Sequence, residues 1–437
     1  MKNKQYILVG SALFNGSETQ RMIEIADELK QRGYTIVFIG AGQYDTLLEN
    51  KDYIREVIAY DRKWYNEERI SKMLAMDRYG CDFASKDEIK KIIEAEIQVI
   101  KKYNPIVILT GYRMTLTISS RICKVPIVWS LSATVSKIQL EQVLESANQV
   151  KRNSKQSYQQ LRSLYENKIA CQRVLNQSQT VTLWNQVLES YGCETLKCDL
   201  DIYTGDLNLM SDAKELFPDL KENDQYKFIG PILNNQYIEM PQIVSEVLEQ
   251  NNGRKKILIS IGTSGKKELL MEILKTTREF DYDFFISVFD VLSKEEMDSY
   301  PKNYHFCEKF PLIDIAQLCD FAIIQAGQGT LYAMLAAKCP IVSIPTTFEQ
   351  RQNIENLLKH YQCGEMIPFY DANQINIKKA ITCLLNTKTY KEEILRANKD
   401  IQKHLIDGKR TPIQAANYIE DYILHKGSDR NGENTRH

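Results

Sequence analysis

The sequence has no long apolar run: no stretch approaches the roughly 18 consecutive apolar residues that would span a bilayer. Its start carries two lysines and a short apolar run, but residues 15–18 (Asn-Gly-Ser-Glu) follow where a leader peptide would have a cleavage site. We therefore expect a first β-strand at residues 6–13, no transmembrane segment and a cytoplasmic protein.

The sequence also has no excess of charge of either sign. Lysine and arginine number 56 against 57 aspartates and glutamates, which leaves a net charge of −1 at neutral pH. A surface that binds nucleic acid or an anionic membrane needs a basic excess. We therefore expect no nucleic-acid partner.

Histidine is scarce, and the cysteines follow no pattern that indicates a bound metal or a disulfide scaffold. The ten cysteines are scattered, with no CxxC pair and no neighbouring histidine cluster. All five histidines lie beyond residue 304. We expect reduced thiols and no metal site, and an acid or base in the first 304 residues must be another kind of side chain.

Short β-branched apolar runs alternate with helical patterns, which is typical of parallel strands joined by crossover helices. The strands predicted in the first half are residues 6–13, 34–41, 53–60, 106–111, 126–132, 207–210 and 226–233. Those predicted in the second half are residues 257–261, 284–289, 304–306, 321–324 and 341–344. Because 437 residues are too many for one ordinary core, we predict two α/β domains of the Rossmann type.

A polar stretch at residues 234–254 separates the two series and predicts a linker. We place the first domain at residues 1–233, the second at 255–410, a C-terminal helix at 411–425 and a disordered tail at 426–437. Residues 135–191 are polar and helical in pattern. They fit either an insertion that shapes a ligand cleft or a solvated helical hairpin.

Glycines and hydroxyl side chains follow two strands of the second domain. The first turn is Gly262, Thr263, Ser264 and Gly265, and the second is Gln325, Ala326, Gly327, Gln328, Gly329 and Thr330, before a helix at residues 331–338. Glycine lets backbone N–H groups approach an anion at the positive end of a helix, where the hydroxyl of Thr330 can also bind it. Tight turns between a strand and a helix also use glycine for packing alone, so this pattern by itself leaves both interpretations open.

Polar side chains that can bind sugar hydroxyls follow Pro345, and with them the sequence resembles a known family. It is similar to the inverting two-domain glycosyltransferases that include UDP-glucuronosyltransferases, plant natural-product transferases and bacterial macrolide transferases. The matching features are Ser260 with Gly262 and Thr263, Phe310 with Pro311, the turn at residues 325–330, the group Glu349, Gln350 and Asn353, and the segment Ile229, Gly230 and Pro231. The resemblance implies the GT-B architecture, in which two Rossmann-like domains face each other across a cleft.

The resemblance also implies that the second domain binds a UDP- or dTDP-sugar. Phe310 would stack on the nucleobase, the turn at residues 325–330 would hold the diphosphate, and Glu349 and Gln350 would contact the hexose. The residues assigned to the donor are Gly262, Thr263, Ser264, Phe310, Gln325, Gly327, Gln328, Gly329, Thr330, Glu349, Gln350 and Asn353. It implies no cofactor besides this donor substrate.

The sequence departs from the family pattern at several positions. Gln325 stands in place of a histidine, Ala333 in place of a glutamate that binds the ribose hydroxyls, and Glu349 in place of an aspartate. These changes leave the identity of the donor open. The catalytic histidine of the family follows a glycine after the first strand, whereas here Ser17 follows Gly16.

Glu18 is the first candidate for the missing base, although a carboxylate at that position also complements the helix dipole. Asp61 is a weaker candidate. Alternatively the acceptor is acidic enough to need no base, and Ser17 orients it or contacts phosphate. Asp-x-Asp triplets at residues 199–201 and 281–283 are expected by chance among 57 acidic residues, and helix N-termini supply the charge stabilisation that a metal would give.

The function that we predict is metal-independent, inverting transfer of a hexose or deoxyhexose from a UDP- or dTDP-sugar to a small natural-product acceptor. Aromatic side chains of the first domain either line an apolar acceptor pocket or belong to the core. They are Trp64, Tyr65, Tyr79, Tyr112, Trp129 and Trp184. The alternatives are a non-catalytic sugar-nucleotide-binding protein that serves a partner enzyme, a lipid glycosyltransferase and a sugar-nucleotide epimerase.

Overall fold

The structure is a computed structural model of the chain, and its residues divide into two units. It describes residues 4–59, 61–64, 85–149, 158–175, 179–233, 238–249, 253–262, 265–288, 291–405 and 410–433. The N-terminal unit comprises Met1–Lys214, Pro218–Ile232 and Lys409–His437, and the C-terminal unit comprises Glu215–Phe217 and Leu233–Gly408.

The described residues of the N-terminal unit form a parallel sheet of seven strands in the order β3-β2-β1-β4-β5-β6-β7. The strands are β1 (Tyr6–Ser11), β2 (Thr35–Ile39), β3 (Ile54–Glu56), β4 (Val107–Gly111), β5 (Ile127–Leu131), β6 (Leu207–Met210) and β7 (Tyr226–Phe228). Because neighbouring strands are parallel, they all end at one side of the sheet, which we call its carboxyl edge.

Helices cover both faces of this sheet. The described helices of this unit are α1 (Gly16–Gln31), α2 (Asp61–Trp64), α3 (Lys86–Tyr103), α4 (Thr115–Cys123), α5 (Lys137–Gln149), α6 (Tyr158–Leu175), α7 (Gln179–Ser190) and, at the end of the chain, α16 (Arg410–Glu433). Leu8 of β1 packs in one core with α3 and α7, whereas Ile7 and Val9 pack on the other face with α1 and α16. Burial on both faces explains why the strands are almost continuously apolar.

The helical segment predicted at residues 135–191 is helical in its described parts, as α5, α6 and α7. Val181, Trp184 and Leu188 of α7 lie in the core that covers one face of the sheet. This part of the segment is therefore a structural layer of the unit and not a solvated hairpin.

Two predicted strands are shorter than expected. The strand predicted at residues 53–60 is only Ile54–Glu56, and the one predicted at residues 226–233 ends at Phe228. Gly230 has φ of +91°, and Pro231 has no N–H to donate, so the extended ladder cannot continue there.

The described residues of the C-terminal unit form a parallel sheet of six strands in the order β10-β9-β8-β11-β12-β13. The strands are β8 (Lys256–Ser260), β9 (Asp283–Ser287), β10 (Tyr304–Cys307), β11 (Phe321–Ile324), β12 (Ile341–Ser343) and β13 (Gly364–Met366). The helices are α8 (Gln242–Glu249), α9 (Lys267–Thr277), α10 (Lys294–Asp298), α11 (Leu312–Gln317), α12 (Gln328–Ala337), α13 (Phe348–His360), α14 (Gln374–Asn386) and α15 (Thr389–Leu405). Ile257, Ile259 and Ile261 pack against α9 and α14 on one face.

The predicted linker and the end of the chain differ in detail from the sequence interpretation. The segment predicted as a linker, residues 234–254, contains α8, whose Val244 and Val247 are buried. The last helix runs on to Glu433, into the residues predicted to be disordered, and packs Ala416 and Ile419 with α1 in the N-terminal unit. Within the described residues no helix is long and apolar enough to cross a membrane.

Short 3-10 helices complete the described secondary structure. They span Asp45–Leu48, Ala133–Val135, Asp199–Tyr203, Lys214–Leu216 and Phe369–Asp371.

Candidate functional site

Two turns of the C-terminal unit lie side by side at the carboxyl edge of its sheet. β8 and β11 are neighbours, with Ser260 beside Ile324. The chain continues from β8 to β9 on one side and from β11 to β12 on the other. In a doubly wound sheet such a switch point leaves a crevice at the strand ends, where ligands bind.

The turn after β8 has open space beside its backbone at Gly262. Gly262 has φ of +66°, and a Cβ added there would meet no atom within 4 Å. The N-cap of the next helix is Lys266, which makes no capping hydrogen bond through its side chain. Thr263 and Ser264, which we assigned to the donor, lie outside the described residues.

The turn after β11 is strained and leads directly into α12. Ala326 has φ of +62°, a left-handed conformation that costs a non-glycine residue roughly 1–2 kcal/mol. Gly327 is the N-cap of α12, no side chain caps the helix there, and an added Cβ would meet no atom within 4 Å. Gln328, Gly329 and Thr330 are only half-buried, so the N–H groups of the first turn lie at partly exposed positions. Such an uncapped N-terminus attracts an anion.

Buried polar side chains without partners lie at the same edge. Among the described residues, neither amide atom of Gln325 has a hydrogen-bond partner, and the same holds for the hydroxyls of Ser260, Ser287 and Ser343. The three serines end β8, β9 and β12 at one level of the sheet, since Ser260 pairs with Ser287, and Ile324 pairs with both Ser260 and Ser343. A buried polar group left unpaired costs about 1–3 kcal/mol, so this row fits a site that a polar ligand or ordered water completes.

Ser287 and Ser343 were missed by the sequence analysis. The signal was present, because each of the predicted strands at residues 257–261, 284–289 and 341–344 contains a serine one or two residues before its end. It became interpretable only when the register placed the three serines at one level.

Side chains of α13 hold the neighbouring backbone. Gln350 Oε1 accepts hydrogen bonds from the N–H groups of Thr346 at 2.8 Å and Thr347 at 3.2 Å. Asn353 Nδ2 donates to the carbonyl oxygen of Ala326 at 3.0 Å. Asn353 thus contacts the turn after β11, whereas Gln350 holds the segment between β12 and α13.

A buried carboxyl group lies at the carboxyl edge of the other sheet, where β1 and β4 form the switch point. Glu18, in the first turn of α1, accepts a hydrogen bond from Ser11 Oγ through Oε2 at 2.6 Å. Its Oε1 has no partner among the described residues, and a Cβ added at Gly111 would lie 3.0 Å from that oxygen. Burial raises the pKa of Glu18 to about 8, against the opposing effects of the Ser11 hydrogen bond and the charge of Arg21. Glu18 is therefore mostly protonated at neutral pH and exchanges its proton near pH 8.

No family model matches the chain. It is 24% identical over 277 residues to a PGL/p-HBAD biosynthesis rhamnosyltransferase of Mycobacterium bovis, a match that covers 61% of this chain and 57% of that protein. It is 22% identical over 214 residues to a PGL/p-HBAD biosynthesis glycosyltransferase of Mycobacterium tuberculosis, which is 48% of each. The chain spans about half the length of the curated relatives it matches.

Solved glycosyltransferase structures are similar over nearly the whole chain. The glycotransferase of kitacinnamycin has a TM-score of 0.66 at 15% identity, covering 96% of this chain and 99% of that one. Spinosyn forosaminyltransferase SpnP has a TM-score of 0.64 at 13% identity, covering 95% and 99%. The glycosyltransferase VinC in complex with dTDP has a TM-score of 0.62 at 12% identity, covering 95% and 100%.

The fold is that of the GT-B glycosyltransferases. This confirms the fold class and the family resemblance that the sequence predicted. At such low identity the likeness concerns the fold alone.

In this GT-B fold Phe310 does not have the environment that its predicted role needs. The ring is fully buried and meets Phe285 edge-on, with centroids 6.1 Å apart. Stacking on a nucleobase requires an exposed ring face, so the structure gives the stacking role no support. Glu349, by contrast, is half-buried in the first turn of α13, a position from which a ligand can be reached.

The other candidates for acid-base chemistry differ from Glu18. Ser17 is exposed, and its N–H donates to Asn15 Oδ1 at 3.0 Å. Asp61 is buried, pairs with Arg113 at 2.9 Å, and accepts the N–H of Ile58 through its other oxygen at 3.2 Å. Because both carboxylate oxygens are occupied and the charge is paired, we no longer propose Asp61 as a base.

The Asp-x-Asp triplets of this GT-B chain have protein partners. The pairs are Asp201 with Lys137 at 2.7 Å, Asp281 with Arg254 at 2.9 Å and Asp283 with His305 at 3.3 Å. Across the described ranges no group of three or more histidine, cysteine or acidic side chains is placed to hold a metal ion.

The predicted aromatic set of the first domain separates into core and edge residues. Trp129 and Trp184 are fully buried in the core. Tyr112 is partly buried after β4 and packs edge-to-face with Phe14, at a centroid distance of 6.1 Å. Phe14, which sequence reasoning missed, follows β1 at the edge that carries Glu18. The side chain of Trp64 and the residues Tyr65 and Tyr79 lie outside the described part.

Proposed function

We propose that this protein is a nucleotide-sugar-dependent glycosyltransferase that moves a hexose or deoxyhexose from a UDP- or dTDP-sugar to a small natural-product acceptor, with inversion and without a metal ion. One observation carries the proposal: the uncapped N-terminus of α12 adjoins the open space at Gly327 and the unpartnered amide of Gln325. A diphosphate suits this arrangement, because it offers several negative oxygens to N–H donors.

In the proposed donor site the N–H groups of Gln328, Gly329 and Thr330 bind the diphosphate at the positive end of α12. Gln325 adds a neutral donor in place of the histidine of the family pattern. The same groups stabilise the negative charge that grows on the diphosphate while its bond to the sugar breaks. The complex of VinC with dTDP and the relative named as a rhamnosyltransferase support this class of donor.

We assign the role of base to Glu18 in the N-terminal unit. Only the ionised form of Glu18, which is the minor form at neutral pH, can act as a base. In that form Oε1 is the oxygen that can accept the proton of an acceptor hydroxyl, because Oε2 already binds Ser11. The acceptor oxygen then forms its bond to the anomeric carbon as the bond from that carbon to the diphosphate breaks, which inverts the configuration. Phe14 and Tyr112 offer apolar faces to the acceptor.

The first experiment measures binding and turnover separately. Calorimetry with UDP and dTDP should detect binding of at least one, and the sugar donor should be consumed in the presence of a suitable acceptor. The Glu18→Gln variant should bind the nucleotide as the wild type does but lose about 10²-fold or more in turnover, since a positioned base contributes on that order. Failure of both nucleotides to bind would contradict the proposal.

A non-catalytic sugar-nucleotide-binding protein is the second candidate, favoured by the absence of histidine from the first 304 residues. It predicts nucleotide binding without turnover across a panel of phenolic, macrocyclic and lipid acceptors. Conversion of the donor without any acceptor would instead favour an epimerase.

The Glu349→Ala variant tests the site of the hexose. It should weaken the binding of the sugar nucleotide and leave the affinity for the free nucleotide nearly unchanged, because it removes only a sugar contact. Calorimetry with both ligands measures the difference. Equal losses for the two would show that the hexose binds elsewhere.

A further inference from the structure

The carbonyl oxygen of Ala326 has a dedicated donor on another helix. Asn353 Nδ2 of α13 donates to it at 3.0 Å, and both residues are buried. The bond joins the strained turn before α12 to the middle of α13. Gln350 and Thr347 anchor the start of α13 with a capping box, so the donor is on a fixed element.

This bond fixes the orientation of one peptide group of the proposed site. In a trans peptide the C=O and the following N–H point in opposite directions. With the oxygen of Ala326 held toward Asn353, the N–H of Gly327 must point away from it. Gly327 has open space where a Cβ would stand, and it is the N-cap of α12.

The left-handed conformation of Ala326 depends on contacts such as the hydrogen bond from Asn353. Alanine at φ of +62° is disfavoured and persists only where surrounding contacts impose it. Without a donor for its carbonyl oxygen, the peptide between Ala326 and Gly327 can rotate through ψ of Ala326 and φ of Gly327. Such a rotation would turn the N–H of Gly327 and change the start of the helix.

We propose that Asn353 is a positioning residue for the nucleotide diphosphate: it holds the Ala326–Gly327 peptide so that Gly327 and the first turn of α12 present their N–H groups to the ligand. The proposal rests on the proposed function, and it replaces direct contact with the donor as the role of Asn353. Asn353 acts through the backbone and need not touch the ligand.

The chain supplies a matched control at the other end of α12. Asn398 of α15 is also buried, and its Nδ2 donates to the carbonyl oxygen of Leu335 at 2.9 Å. The Asn398→Ala variant removes the same kind of bond from the last turn of α12 but leaves the turn at residues 325–327 intact.

The experiment compares Asn353→Ala, Asn353→Asp and Asn398→Ala by thermal unfolding and by calorimetry with UDP and dTDP. Both alanine variants should lose similar stability. Asn353→Ala should bind the nucleotide about tenfold more weakly, as expected for the loss of one buried hydrogen bond that orders the site, whereas Asn398→Ala should stay within about twofold of the wild type. Asn353→Asp fills the same space but as a carboxylate donates no hydrogen bond, so it should also bind weakly.

Wild-type affinity in either Asn353 variant, or an equal loss of affinity in Asn398→Ala, would overturn the positioning role alone. If the wild type binds neither UDP nor dTDP, the proposed function fails, and the inference fails with it.

Discussion

Glu18 combines a buried position with a carboxyl group, and its pKa therefore links stability to pH. Burial raises this pKa from 4.5 in the unfolded chain to about 8 in the folded one. A raised pKa means that the folded state binds protons more tightly than the unfolded state. The protonation of Glu18 therefore contributes fully to the free energy of unfolding below pH 4.5, and this contribution is lost as the pH rises through about 8. The wild type should therefore become less stable relative to Glu18→Gln over this range.

The difference in unfolding free energy between the wild type and Glu18→Gln should change by about 1.4 kcal/mol per pH unit between roughly pH 5 and 8, because the wild type releases one proton on unfolding. Urea unfolding of the wild type and of Glu18→Gln at several pH values measures it. Parallel stability curves for the two proteins would show that Glu18 ionises with an ordinary pKa. Glu18 would then be ionised at neutral pH and would be a weaker base than the raised pKa predicts.

Arg113 is the second residue for which burial decides the outcome. It pairs with Asp61 at 2.9 Å and with Glu96 at 2.8 Å, and all three side chains are fully buried. Replacing it by leucine leaves two buried carboxylates without this counter-charge, which should cost about 3–5 kcal/mol of unfolding free energy.

Arg62→Leu is the control, because Arg62 is 75% exposed and pairs with Asp45 at 2.7 Å. The exposed pair of Arg62 and Asp45 should contribute about 1 kcal/mol or less to the free energy of unfolding. Denaturant unfolding measures both variants. A loss as small in Arg113→Leu as in Arg62→Leu would mean that the buried carboxylates become protonated at little cost.

At the scale of elements, the N-terminus of α12 is the feature that most directly tests the proposed donor site. Gly327 has φ of −56° and ψ of 145°, which alanine adopts without strain, and the space beside it is open. Gly327→Ala should therefore fold, with a stability loss of about 1 kcal/mol or less from the poorer N-cap. The added methyl group occupies the space proposed for the diphosphate, so nucleotide affinity should fall about tenfold or more.

Thermal unfolding and calorimetry with UDP and dTDP separate the two effects for Gly327→Ala. Unchanged affinity would place the ligand away from this turn.

At the scale of the whole molecule, the proposed chemistry makes a prediction about metal ions. The N-terminus of α12 supplies positive potential to the leaving group, and three of the four Asp-x-Asp carboxylates already pair with Lys137, Arg254 and His305. Turnover should therefore stay within about twofold when EDTA removes divalent cations. A large loss of initial rate that Mg²⁺ or Mn²⁺ restores would contradict this mechanism.

The sequence by itself determined the two α/β series, the strand ends that carry the turns after β8 and β11, and the resemblance to GT-B glycosyltransferases, because periodicity and glycine placement are local properties. Only the tertiary structure decided that Ser260, Ser287 and Ser343 share one level, that Phe310 is buried, that Asp61 pairs with Arg113 and that Asn353 binds the carbonyl of Ala326. Those facts depend on strand register and on which helices pack together. They arise from contacts between residues far apart in the chain, for which a local pattern carries no signal.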